Sequence, residues 1–299
     1  MQLYDYMQAH GYTPPQVNRY NSYIRFAAPN KAKGNKSAWL VVVGDGQYAV
    51  FGDWISGDKF TWFDDSQELT PLERAQMQLK AEQAYLQYQQ QKEQKHIAIS
   101  HQVKEILANA RLADAQHGYL IKKKVQPYGI YQINQLQGIK NALLVPICGL
   151  NKKGEQIYQS LQIISPTGKE KYFLKDGKTQ GGFHCLREAK KDSKESDIII
   201  CEGYATAATI AQLSPNDGVY CAFYADNLKP VSIAIRGIFP SKRIIIAGDN
   251  DRHLEPNIGK EKSEEAAQAV CGYPSLPPFE ENEEGTDWND YYINKGKLS

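Results

Sequence analysis

The sequence predicts an α/β protein whose last third is an open parallel sheet, preceded by a basic α+β segment, a long helix and a small β-rich beginning. Three observations predict this. Beyond Glu195, apolar runs alternate with helical stretches, the pattern that builds a parallel sheet with crossover helices. Between 117 and 194, strand-like runs are separated by turns alone, as in an antiparallel meander. Between these and the N-terminal strands lies a stretch of Gln, Ala, Lys and Glu with few helix breakers. The expected division is 1–68, 69–116, 117–195 and 196–299.

Taken in order, Trp39 to Val43, the turn Gly44-Asp45-Gly46 and Tyr48 to Trp54 read as a hairpin, with a third strand at Lys59 to Phe63. Trp54, Phe60 and Trp62 could stack on bases if exposed, although small sheets also need such side chains for a core, and that reading ranks first. Thr70-Pro71-Leu72-Glu73 is a helix start, with a hydroxyl cap, proline in the first turn and a glutamate reaching back. The helix it opens has little apolar stripe at YLQYQQQKEQK and reads as a solvated connector. The meander then comprises Ala142 to Cys148, a turn at Asn151 to Gly154, Gln156 to Ser165 and Lys171 to Leu174. The parallel strands are Asp197 to Cys201, Gly218 to Phe223 and Arg243 to Ala247, with helices at Tyr204 to Leu213, Leu228 to Arg236 and Lys260 to Val270. Residues 285–290 are expected to return the chain to the sheet edge.

The formal net charge of +1 conceals two blocks. Residues 117–194 carry 14 basic and 5 acidic side chains, and 195–299 carry 9 and 17. Such polarity predicts one surface for a polyanion and another with carboxylates for cations. The five cysteines, Cys148, Cys185, Cys201, Cys221 and Cys271, have no zinc-ribbon spacing, so no zinc is expected. No apolar run reaches the length of a membrane span and the first residues lack a secretion-signal pattern, so the cytoplasm is the expected location.

In a parallel sheet, ligands bind beyond the carboxyl ends of the strands. Glu202 directly follows DIIIC, while Asp249 and Asp251 follow RIIIAG. Each alone has a structural explanation, Glu202 beside a helix start and the aspartates in an Asx turn. Together they predict a site where clustered carboxylates are held by a hard cation, magnesium first.

The segments DIIICEGYATAATI and RIIIAGDND resemble the two signature motifs of the Toprim superfamily, and the intervening AFYADNL is similar to the Toprim primases of plasmids, phages and other mobile elements. Upstream, His117-Gly118-Tyr119-Leu120 with Lys122 to Val125, then Leu144-Val145-Pro146-Ile147 and Lys171-Tyr172-Phe173, are similar in order to the catalytic core of bacterial replicative primases. The resemblance covers about the C-terminal two-thirds of the chain. It implies a Rossmann-like catalytic fold, Glu202 as general acid or base, and Mg2+ or Mn2+ held by Glu202, Asp249, Asp251 and, as third acidic motif, Asp287, with Asp290 second. It also implies nucleotide or nucleic-acid contacts from Lys122, Lys123, Lys124, Lys171, Asn227 and Lys260. The expected activity is magnesium-dependent templated synthesis of short RNA primers on single-stranded DNA from ribonucleoside triphosphates. Thr206 stands where replicative primases carry an aspartate, and no Cys/His cluster precedes the core.

A topoisomerase would need a gate domain with a tyrosine nucleophile, and a recombination mediator a cysteine cluster. A Toprim nuclease and a non-catalytic single-stranded-DNA-binding replication module remain as alternatives. Gly177-Lys178-Thr179 is not a phosphate loop, because the required upstream glycine is Tyr172. A separate replicative helicase is the expected partner.

Overall fold

The computed structural model describes residues 1–32, 34–66, 69–151, 153–190 and 195–298, apart from the side chain of Asp45. Lys152 of the expected 151–154 turn, Glu68 at the expected first boundary and 191–194 of the basic block lie outside the described residues. The chain forms two compact units, Met1–Gln94 and Lys95–Ser299.

In the first unit, helix α1 (Leu3–Ala9) precedes a four-stranded antiparallel meander of β1 (Tyr23–Phe26), β2 (Ala38–Val43), β3 (Tyr48–Asp53) and β4 (Lys59–Phe63), in that spatial order. Alternation sends Leu40, Val42, Ala49 and Phe51 to one face, against Met7 of α1, and Val41, Val43, Tyr48 and Val50 to the other. That second face is covered by Ala81 and Ala84 of α2 (Pro71–Ala108). The helix starts at the predicted capping box. Glu73 accepts from the Thr70 N–H at 2.8 Å and from its hydroxyl at 2.7 Å. Trp62 and Phe60 belong to the core beneath α1, whereas Trp54 is 44% exposed.

α2 is exposed along most of Pro71 to Lys80 and again from Gln90 to Lys95. It stops at Ala108 rather than near Gln116, and in the second unit Val103 and Leu107 are core residues. There they cover one face of a five-stranded antiparallel meander: β5 (Arg111–Leu112), β6 (Tyr131–Leu136), β7 (Ile139–Leu150), β8 (Gln156–Ile164) and β9 (Lys171–Phe173). Helix α3 (Gly118–Lys123) lies between β5 and β6.

The second sheet of this unit is built from β10 (His184–Arg187), β11 (Ile198–Cys201), β12 (Gly218–Cys221), β13 (Ile244–Ala247) and β14 (Tyr273–Ser275), in the order β10-β12-β11-β13-β14. β10 is antiparallel to β12; the other pairs are parallel. The crossovers are α4 (Tyr204–Leu213), α5 (Leu228–Ile238) and α6 (Ile258–Ala269). Leu143, Val145 and Ile147 of the meander join α4 and one face of the parallel sheet in a single core, and α5 and α6 close the other face. Burial on both faces explains why Ile198 to Cys201 is an unbroken apolar run. β10 comes from the segment assigned to the basic part by composition, so the expected boundary at 195/196 cuts one sheet. Residues 285–290 do not form a sheet edge; the edge strands are β10 and β14. Asp287 instead caps α7 (Trp288–Asn294) by accepting from the Asp290 N–H at 2.7 Å.

Candidate active site

β11 and β13 are neighbours in parallel register, with Cys201 opposite Ala247. Glu202 and the Gly248-Asp249 pair therefore leave the sheet side by side at its carboxyl edge. The approach of α6 is tight there. A Cβ on Gly259 would lie 2.3 Å from the Asp249 carbonyl oxygen, and one on Gly248 would lie 2.6 Å from Ser263 Cβ. Only glycine permits both contacts.

The loop after β13 is cross-braced. The Asp251 N–H donates to Asn257 Oδ1 at 3.1 Å, Asn257 Nδ2 donates to Asn250 Oδ1 at 2.9 Å, and Asp251 Oδ2 accepts from the Gly259 N–H at 3.2 Å. The Asn250 N–H reaches the Thr286 carbonyl at 2.7 Å, which ties this loop to the residue before Asp287.

The electrostatics reflect the crowding. Burial, followed by the charges of Glu202, Asp287 and Asp251, pushes the Asp249 carboxyl up to about 9. Burial and then Asp251 raise Glu202 to about 7, against the pull of the Ala225 and Asp249 N–H groups. Burial also raises Asp287, against Lys123. Glu202 Oε2 and Asp249 Oδ1 are buried without a hydrogen-bond partner. Two orphaned carboxylate oxygens among like charges fit a hard cation, which removes both penalties. Among the described residues, no three His, Cys, Asp or Glu side chains stand close enough together to enclose an ion as they are placed. Thr206 is buried in α4.

Lys123 Nζ lies 2.9 Å from Asp290 Oδ1 and 3.7 Å from Asp287 Oδ2. Burial pulls its amine down, but Asp287 and Asp290 outweigh this and hold it above its ordinary value. Lys171, on β9, carries its ammonium 5.4 Å from the centroid of the Tyr119 ring. Although the residue is exposed overall, burial of its amine and the Lys123 charge lower that amine, offset in part by Asp287 and Asp249. Lys122 Nζ reaches the Thr167 carbonyl at 3.4 Å, and Lys124 Nζ the Leu298 carbonyl at 3.1 Å. Lys260 is exposed in the first turn of α6.

Asn227 is the expected nucleotide contact that the geometry turns inward. It is fully buried; Nδ2 donates to the Gly182 and Ala222 carbonyls at 2.8 and 2.7 Å, and Oδ1 accepts from the Gly181 N–H at 2.7 Å. Both amide hydrogens are committed internally, so it is a brace. What it braces is strained. Phe223, in the turn beyond β12, has φ +75°, a conformation costly for a bulky residue, and this turn presents the Ala225 N–H toward Glu202.

Sequence reasoning missed Asn289. It is fully buried, and its Nδ2 donates to the Lys123 carbonyl at 2.7 Å and to Thr209 Oγ1 at 2.8 Å, fastening α7 to α3 and α4. An asparagine two residues after a helix cap gives no signal of such a role.

Residues 197–297 match the Toprim domain family model. Two Escherichia coli proteins named DNA primase TraC are similar to this chain. One is 31% identical over 228 residues, 75% of this chain and 15% of the relative, and the other 30% over 260 residues, 85% and 24%. The chain thus spans less than a quarter of the length of these curated relatives. The crystal structure of the Aquifex aeolicus primase, zinc-binding and RNA polymerase domains, is 13% identical and aligns with 99% of this chain and 80% of that one at a TM-score of 0.42, too loose a superposition to bear on function. Residues 197–297 thus match a Toprim domain, and most of the chain is similar to part of two proteins named DNA primase TraC.

Proposed function

We propose that this chain is a catalytic portion of a DNA primase that makes short RNA primers on single-stranded DNA with magnesium or manganese. The observation that carries the reading is the meeting of Glu202 and Asp249 at two adjacent strand ends, each with a buried, unpartnered carboxylate oxygen. Glu202, Asp249, Asp251 and Asp287 are the groups that hold the divalent ion in this reading. Bound there, the ion supplies neutralisation of the triphosphate and of the charge developing on pyrophosphate.

The protein's own residues do the rest. Glu202 assists transfer of the proton from the attacking 3′-hydroxyl. Lys171, above the Tyr119 ring, contacts nucleotide or template phosphate. Lys123 balances Asp287 and Asp290, while Lys122, Lys124 and Lys260 offer cations to the polyanion. Asn227 acts at one remove, by holding the turn that faces Glu202. The basic block carries the template strand, so affinity falls steeply with salt. In this reading a replicative helicase supplies the unwinding. The relatives' names, DNA primase TraC, support the same activity.

Incubating the chain with single-stranded DNA, four ribonucleotides and Mg2+ or Mn2+ tests the proposal. Short RNA products are expected, and Asp249→Ala should reduce them on the order of a thousandfold. Cleavage of the DNA would select the nuclease reading, and binding without any product the non-catalytic module.

A further inference from the structure

A cavity lies wholly within the first unit, between the α2 face of Gln78, Ala81, Glu82 and Tyr85 and the strands it covers. Its volume is about 620 Å³, within the span of roughly 300–1,000 Å³ typical of small-ligand sites. The floor is apolar, formed by Val41, Val50 and Ala81. Trp39, Trp54 and Tyr85 supply aromatic walls.

Those walls are pre-set. Trp54 lies 5.7 Å from Tyr85 and 5.9 Å from Trp39, centroid to centroid, and Tyr23 backs them by stacking on Trp39 at 5.6 Å and on Tyr88 at 4.3 Å. Trp54 nevertheless keeps 44% of its surface open to solvent, enough to offer a π-face. A large, partly exposed indole held by other rings loses little freedom on binding.

Charge decides what the cavity accepts. Three carboxylates line it, Asp53, Asp58 and Glu82, against one ammonium, Lys59. Asp53 is buried with Oδ1 taking the Ile55 N–H, and Asp58 Oδ2 takes the Ser56 hydroxyl, so both retain acceptor capacity. Glu82 is exposed and has no hydrogen-bond or ion-pair partner among the described residues. A nucleic-acid strand stacking a base on Trp54 would bring its phosphates against Asp58 and Glu82. A cation gains from both the indole face and the carboxylates.

The geometry points to a docking site for a guanidinium-bearing segment of a protein partner, an arginine side chain lying over Trp54 with its fork toward Glu82 and Asp58. The cavity exceeds one side chain, so neighbouring residues of the partner segment enter with it. This site is independent of the carboxylates at the parallel sheet and of the reaction proposed for them.

The test is titration of the full chain with an eight-residue arginine-rich peptide, a glutamate-rich peptide of equal length and an oligothymidylate of similar size, read by calorimetry and tryptophan fluorescence. Saturable, salt-sensitive binding of the arginine peptide is expected. Trp54→Ala should weaken it at least tenfold, Glu82→Gln several-fold, and Trp54→Phe much less, because a ring remains. Unchanged thermal midpoints would show that the surface substitutions leave the fold intact. Arginine-peptide binding that is absent, or equal in wild type and Trp54→Ala, overturns the inference. Oligothymidylate binding that depends on Trp54 and exceeds that of the arginine peptide overturns it in favour of a base platform.

Discussion

The parallel sheet of the second unit and the antiparallel sheet of the first handle their polar groups in opposite ways. β11 and β13 are covered on both faces, so a polar side chain has no place along them and the carboxylates collect where the strands end. β2 and β3 are covered by one short helix and by part of a long one, which leaves a cavity beside the sheet with polar groups along its rim. Full coverage concentrates polar groups at the strand ends, and partial coverage leaves them beside a face.

The largest expected effects lie in the cores and test whether the two units are energetically separate. Ile200→Ala in β11 should cost about 2–5 kcal/mol and Phe51→Ala in β3 about 3–5 kcal/mol, since both side chains are fully buried. Followed by denaturant unfolding with a fluorescence probe in each unit, each substitution should shift the transition of its own unit. Equal shifts of both transitions would erase the contrast between the two sheets.

Next in size is Asn227→Ala. It leaves two carbonyls and one N–H unpaired in the interior and should cost about 2–4 kcal/mol. Because the strained turn at Phe223 loses its brace, primer synthesis should fall further than template binding, which an assay of each on the same preparation resolves. Equal losses in the two would place Asn227 in a purely structural role.

Both expectations draw on features with very different visibility in the sequence. The capping box at Thr70 and the alternation in β2 and β3 are short-range patterns, and they form as written. DIIIC followed by Glu202 and RIIIAG followed by Asp249 are legible because burial on both faces leaves an apolar run with an abrupt polar stop. β10 was hidden: four residues of mixed polarity acquire strand structure only by pairing with β12. The C-terminal end of α2 is illegible for a similar reason, since Val103 and Leu107 become core residues only when a sheet lies beneath them. Asn227 and Asn289 are long-range braces, and nothing local distinguishes a buried asparagine from a turn asparagine.

A smaller effect concerns pH. Glu202 and Asp249 have folded-state values raised to about 7 and about 9, above their ordinary range near 4. Groups raised in this way favour the folded state fully below their unfolded values, and the contribution is lost as pH rises through the folded values. The metal-free protein should therefore lose thermal stability between about pH 4 and pH 9, by a few degrees in midpoint. Divalent ion should restore more at pH 8 than at pH 5.5. Scanning the chain in chelator and in Mg2+ checks this, and Asp249→Asn should flatten the chelator series.

The central claim is that carboxylates from separate strand ends act as one cation site, and equilibrium Mn2+ binding followed by paramagnetic resonance tests it most directly. Wild type should bind Mn2+ saturably, and Asp249→Asn and Glu202→Gln should each weaken that binding at least tenfold while the fold stays intact. Binding that is absent in wild type, or unchanged in both variants, would contradict it.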